Sequence, residues 1–166
     1  MKASEITDEI GDKEFGGVVT VEVIRDGADG PKVIQRREVH NLVVNQGKRQ
    51  TWRMAAGLNS NDWDQFRIGT NGAAANSGHN NVQSPVTGTI NTADQKTLLA
   101  GTRTFQLMIS YPSGVSSKSA TNIQEVCILN KNTSSSTASC FMRATFTAIA
   151  KSRSDKLKIT YNVRIA

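Results

Sequence analysis

The clearest periodicity in the chain lies near its C-terminal end. Leu157, Ile159, Tyr161, Val163 and Ile165 alternate there with Lys156, Lys158, Thr160, Asn162 and Arg164. Side chains two apart share a face of a strand, so the pattern predicts a strand with one apolar face on a core and one polar face in water. The same period recurs at Val19, Val21 and Val23. Turn residues follow, Asp26-Gly27 and then Asp29-Gly30-Pro31, and the chain returns over residues 32–44, which predicts a hairpin. Phe66, Ile68 and Thr70 give a short strand, and Phe105, Leu107, Ile109 and Tyr111 a longer one. NIQEVCILN and CFMRATFTAIAK give two more.

Helical spacing shows convincingly only once. Asn45 suits a cap, Trp52, Ala55 and Ala56 share one face of a helix over residues 46–56, and Gly57 suits its end. TNGAAANSGHNNVQSPVTG predicts a long surface loop, and residues 89–100 carry no decisive pattern. Short strands joined by loops, with one helix, predict an all-β fold: an antiparallel β-sandwich, jelly-roll-like, formed by a single domain over residues 17–166.

Charge adds an N-terminal feature to this outline. Residues 1–16 carry Glu5, Asp8, Glu9, Asp12 and Glu14 against Lys2 and Lys13. That is −3 of a total of +6, so the remainder carries +9. The segment holds few large apolar groups besides Met1, namely Ile6, Ile10 and Phe15. It reads as an extended acidic arm whose apolar residues contact a partner while its carboxylates meet a basic surface. Its start has no apolar core of a secretory signal, and no run of about 18 apolar residues suggests a membrane span.

Candidate chemistry is sparse. Leu42-Val43-Val44 leading into Gly47-Lys48 has the outline of a phosphate loop. Such a loop needs a glycine where Leu42 stands and a hydroxyl where Arg49 stands, so the stretch reads as a strand entering a helix. His40 and His79 have no nucleophile or metal ligand at useful spacing, and no enzyme activity, cofactor or metal is expected. Cys127 and Cys140 fit no metal spacing either. They read as buried free thiols, with a bridge open to them if their strands are neighbours. The basic groups at Arg36-Arg37, at Lys48, Arg49 and Arg53, and at Lys151, Arg153, Lys156 and Lys158 lack interleaved aromatics, so nucleic-acid binding rests on charge alone. Asn132-Thr133-Ser134 matches a glycosylation sequon but has no standing without a secretory signal. Glu125, set among apolar residues of a strand, calls for a donor or a cation, and Arg143 is the candidate for a structural pair.

The order of these motifs resembles a family of small virion structural proteins of tailed bacteriophages. The resemblance covers about residues 36–166. It rests on Asn41-Leu42-Val43 with Gly47-Lys48, on Ile68-Gly69-Thr70-Asn71, and on Ile123, Glu125 and Asn130. It continues through Arg143, Phe146, Ile149 and Lys151, and through Asp155, Leu157 and Ile159-Thr160-Tyr161. Asn71 replaces a glycine of the family pattern, and Cys127-Ile128 replaces Gly-Leu. The resemblance implies a non-enzymatic virion component assembled in the bacterial host cytoplasm. A β-domain with an arm and no fibre repeat implies a capsid decoration (cement) protein that binds the major capsid protein and neighbouring copies of itself. The same resemblance also fits a tail, neck or baseplate component.

Overall fold

The computed structural model of the chain describes residues 15–57, 62–101, 104–113, 121–130 and 139–165. Ile6 and Ile10 of the arm, the Phe15, Trp52 and Ala55 side chains, and the Asn132 sequon lie outside what it describes. The strands are β1 (Phe15–Gly27), β2 (Gly30–His40), β3 (Leu42–Val43), β4 (Trp63–Gly69), β5 (Asn91–Thr92), β6 (Gln95–Leu98), β7 (Thr104–Tyr111), β8 (Thr121–Asn130), β9 (Cys140–Lys151) and β10 (Lys156–Ile165). One helix, α1 (Asn45–Ala55), follows β3. They form two antiparallel five-stranded sheets. Sheet A has the order β2-β1-β10-β7-β6 and sheet B the order β3-β9-β8-β4-β5. The fold is an all-β sandwich, as the alternation predicts. Phe15 and Gly16 already pair with Ile165 and Arg164, so β1 begins two residues inside the segment read as arm.

The core is what the two inner faces supply. From sheet A come Val19, Val21, Val23, Leu107, Ile109, Leu157, Ile159, Tyr161 and Val163. From sheet B come Phe66, Ile68, Val126, Ile128, Met142 and Ala144. The Tyr161 ring meets Phe66 edge-on at 5.6 Å, and its hydroxyl donates across the sandwich to the Val126 carbonyl at 3.2 Å. The Tyr111 hydroxyl donates to the Thr89 carbonyl at 2.8 Å. Burial pushes both phenols up, so neither ionises in the folded protein.

Two departures from the predicted elements have local causes. The return strand expected over residues 32–44 ends at His40, and Leu42–Val43 join the other sheet opposite Arg143 and Met142. The chain crosses between sheets at Asn41, whose amide donates to the Gly17 carbonyl at 3.2 Å. A Cβ on Gly17 would sit 2.9 Å from Asn41 Oδ1, so the crossing uses the space glycine leaves. The undecided stretch 89–100 contains β5 and β6, where the chain passes from the edge of sheet B to the edge of sheet A.

The Gly47-Lys48 stretch opens α1 against β9. The Val44 carbonyl accepts the Lys48 amide at 3.1 Å, and the Asn45 amide donates to the Ser77 carbonyl at 2.7 Å. A Cβ on Gly47 would lie 2.7 Å from Phe141 Cα, closer than packed atoms approach. The glycine therefore serves close packing of helix on strand. Gly57, at φ +70°, follows the last turn.

The turn between β9 and β10 is held by a buried carboxylate. Asp155 accepts from the Ser152 amide at 2.9 Å, from Ser152 Oγ at 2.7 Å and from Arg25 Nε at 2.8 Å. The Arg25 hydrogen bond, aided by Ser152, holds its carboxyl well below the usual carboxylate range although burial pushes the other way.

Two predictions follow from this packing. Ile159 is fully buried, so Ile159→Ala is expected to cost about 2–5 kcal/mol of unfolding free energy by urea denaturation. A carboxyl lowered in the folded state stabilises above its unfolded pKa, near about 4, and that contribution is lost as pH falls towards the folded value. Equilibrium unfolding below about pH 4 should therefore show falling stability, with a shallower fall in Asp155→Asn.

Candidate functional site

The outer face of sheet B is not open to water along its middle. Residues 70–83 run over it without regular structure, and the chain then lines the edge of β4, with a bridge between Gly69 and Pro85 and the Val86 amide donating to the Ile68 carbonyl at 3.0 Å. Register explains which side chains meet them. Gly69 lies opposite Glu125 and Arg67 opposite Cys127, while Glu125 and Cys127 lie opposite Thr145 and Arg143. Glu125, Cys127, Arg143 and Arg67 thus share the outer face, turned away from the main core.

Glu125 and Arg143 are both fully buried there, with Arg143 Nη2 at 2.7 Å and Nε at 2.9 Å from Glu125 Oε2. The remaining capacity of the carboxylate goes to the covering loop. Oε1 accepts the Ser84 amide at 2.8 Å and the Asn71 amide at 3.3 Å, and Oε2 accepts the Gln83 amide at 2.9 Å. The guanidinium reaches the same loop from the other side. Its Nη1 donates to the Ala73 and Ala74 carbonyls at 3.3 and 3.4 Å and lies 3.1 Å from His79 Nδ1, and its Nη2 donates to the Asn71 carbonyl at 3.5 Å. His79 Nδ1 also accepts the Asn76 amide at 3.1 Å. With two donors aimed at Nδ1, the ring proton belongs on Nε2.

The glycine beside this centre is required by it. A Cβ on Gly69 would lie 2.6 Å from the Ser84 carbonyl oxygen and closer still to the Glu125 carboxylate. A smaller apolar cluster flanks the ion pair on the same side: Val44, Val82, Leu129, Cys127 and Cys140. The reading of the cysteines as free thiols is corrected here. β8 and β9 are neighbours, Cys140 sits opposite Leu129, and Cys127 and Cys140 form a disulfide with Cα atoms 6.1 Å apart. That spacing lies within the range a bridge spans. The Cys140 amide donates to the Asn80 carbonyl at 2.8 Å, so the bridged strands also hold the loop.

This arrangement can fix a loop in place and leaves little room for other chemistry. Both oxygens of Glu125 are occupied by donors, so the carboxylate has no free lone pair to take a proton from a substrate. His40 is exposed in β2, and no described contact joins it to His79. Among the described residues no group of three or more His, Cys, Asp or Glu is placed to hold a metal ion. The pair between Glu125 and Arg143 is as the sequence predicts. His79 and the amides of residues 71, 83 and 84 are partners that local sequence does not announce. The one signal for them is a Gly/Asn-rich segment following a strand that ends in glycine. Comparison with protein-family models, with curated proteins and with solved structures finds no match.

Removing one partner of a buried pair strands the other charge. Arg143→Met is therefore expected to cost about 3–5 kcal/mol and to free the loop. Hydrogen exchange at the amides of Asn71, Gln83 and Ser84 should then rise well beyond the rise in β10.

Proposed function

We propose that this chain is a virion structural protein of a tailed bacteriophage. In this reading it is a capsid decoration protein that stabilises the shell by binding the major capsid protein and neighbouring copies of itself. The observation that carries the reading is where the motifs of the resemblance meet. Gly69, Glu125 and Arg143 come from three separate stretches of sequence and converge on one buried ion pair that clamps one loop. Gly47, from a fourth, seats a helix on a strand. Residues retained in a family pattern for such purposes describe a rigid scaffold, and a rigid scaffold is what a particle component supplies.

The charge pattern supports attachment through an arm. The acidic segment before β1 precedes a body of opposite sign, and exposed ion pairs of that kind orient partners more than they bind them. Ile6 and Ile10 supply the apolar part of the contact, and Phe15, expected with them, instead begins β1. A tail, neck or baseplate component would use the same fold. The basic strand face of β10 alone would fit nucleic acid, but its neighbours on that face are Thr160 and Asn162, which do not stack on bases.

The test is attachment. Purified protein mixed with empty capsids lacking it should co-sediment with them and raise their disruption temperature, while purified tails and duplex DNA should not retain it. A chain lacking residues 1–14, which spares β1, should fold normally and bind capsids more weakly. Retention on tails would select the tail reading. Retention on DNA alone would select the nucleic-acid reading. Equal capsid affinity without residues 1–14 would remove the arm from the account.

A further inference from the structure

Three large hydrophobic side chains are exposed among the described residues: Val33 at 52%, Ile34 at 40% and Leu98 at 75%. All three lie on the two edge strands of the same sheet. Val33 and Ile34 belong to β2, Leu98 belongs to β6, and β2 and β6 bound sheet A on opposite sides. Scattered singly, such residues need no explanation; placed only on opposite edges that pair with no further strand among the described residues, they do.

The two edges also differ in sign. β2 and the turn before it carry Lys32, Arg36 and Arg37 against Asp29 and Glu38, with Lys32 2.9 Å from Asp29 and Arg36 3.0 Å from Glu38, so a net positive charge remains there. Around β6 the described residues reverse the balance. Asp62, Asp64 and Asp94 stand against Lys96, whose ammonium is 2.8 Å from Asp64 and 4.0 Å from Asp62. Asp64 is buried, and its Oδ1 takes no hydrogen bond among the described residues.

The β6 edge has a receptacle as well. A shallow, largely open groove of about 390 Å³ lies there, lined by Trp63, Leu98, Phe105 and Leu107 with Asp62 and Lys96 at its side. Pairing register places Lys96 beside Leu107 and Leu98 beside Phe105, so these side chains share the inner face of sheet A at the mouth of the sandwich. The Leu99 amide donates to the Thr104 carbonyl, one step past the Leu98–Phe105 pair. Antiparallel pairing alternates, so Lys96 and Leu98 turn their backbone groups away from β7, towards an incoming strand. On β2 the Asn41 amide bonds Gly17, and by the same alternation Arg36 and Glu38 turn their backbone groups outward.

We infer that copies of this chain associate head to tail, the basic β2 edge of one seating its Val33–Ile34 segment against the acidic β6 edge and apolar groove of the next. The contact joins two different patches, so it is heterologous and builds rings or open chains instead of closed pairs. It deepens the decoration reading by naming the surface through which copies meet, and it is measured without any capsid.

The experiment is mass measurement in solution by light scattering on the full chain at about 100 µM, where a micromolar contact is populated. The wild type should exceed the monomer mass and fall towards it on dilution or in high salt. The double substitution Val33→Lys with Ile34→Lys blocks one patch, and Leu98→Lys blocks the other; each variant alone should be monomeric. Mixed in equal amounts they retain one intact patch each and should form a species of two chains. Ile34→Thr and Leu98→Thr serve where lysine disturbs the circular dichroism spectrum. A monomeric wild type overturns the inference, as does association that survives both variants. So does a mixture that stays monomeric, and so does Leu98→Lys that associates by itself, the outcome a symmetric β2–β2 contact would give. Capsid co-sedimentation of the same variants reads the decoration proposal separately: monomers that still bind shells leave it standing.

Discussion

A carboxylate and a guanidinium buried together under a loop impose the organising constraint of this molecule. Burying either alone would cost several kcal/mol, and burying both is tolerable only if every remaining donor and acceptor is met. Glu125 and Arg143 meet that condition by taking their partners from both ends of the stretch from Asn71 to Ser84. Once the pair is buried, the loop has no alternative position that satisfies it. The closure that forces the charges together also forces the loop down, and Val82 is buried with it. The glycine at 69, the register of β4 against β8 and the diagonal placement of Arg143 are all conditions for this one contact.

That constraint makes the two faces of the sandwich unlike. The outer face of sheet B is turned into a second interior by the loop, the disulfide and α1. The outer face of sheet A keeps polar side chains that pair across strands. Gln106 donates to Asn162 at 2.9 Å, Lys156 lies 2.9 Å from Asp26, and Arg36 reaches Glu22 at 4.0 Å. Such pairs are worth little individually, but they suit a face that stays wet. The surfaces left for partners are then the sheet A edges and whatever the chain before β1 engages.

How much of this could be read in the sequence depends on the range of the interaction. β10 was legible because period two is local: Leu157, Ile159, Tyr161 and Val163 are all buried and their neighbours half-exposed. Glu125 was legible because a charge in an apolar strand has few solutions. The crossing at Asn41 was not, because Leu42-Val43-Val44 continues an apolar run and only the approach of Gly17 redirects it. The fate of Cys127 and Cys140 depended on whether their strands were neighbours, which no local pattern states. His79 and the loop amides belong to a segment whose Gly, Asn and Ser content speaks of turns and says nothing about what lies beneath them.

The ion pair also bears on why such a scaffold tolerates a sheet with two edges left unpaired among the described residues. An edge strand with exposed apolar residues is a hazard when it can slip in register, because many pairings then compete. Here the pairing of β2 with β1 shifts register between Val23 and Ile24, and Pro31 near the start of β2 removes one backbone donor. β6 is four residues long and is anchored at one end by the Lys96–Asp64 contact. Both devices shorten the length over which a foreign strand can pair. What remains available is a short basic segment at one edge and a short, acidic, groove-backed segment at the other. Each is poorly suited to pairing with its own kind, since like charges would face each other, and each complements the other. Edges limited in this way restrict indiscriminate stacking while leaving the proposed contact open, and a rigid sandwich holds the two patches at a fixed angle, so that copies joined by that contact would add in the same geometry.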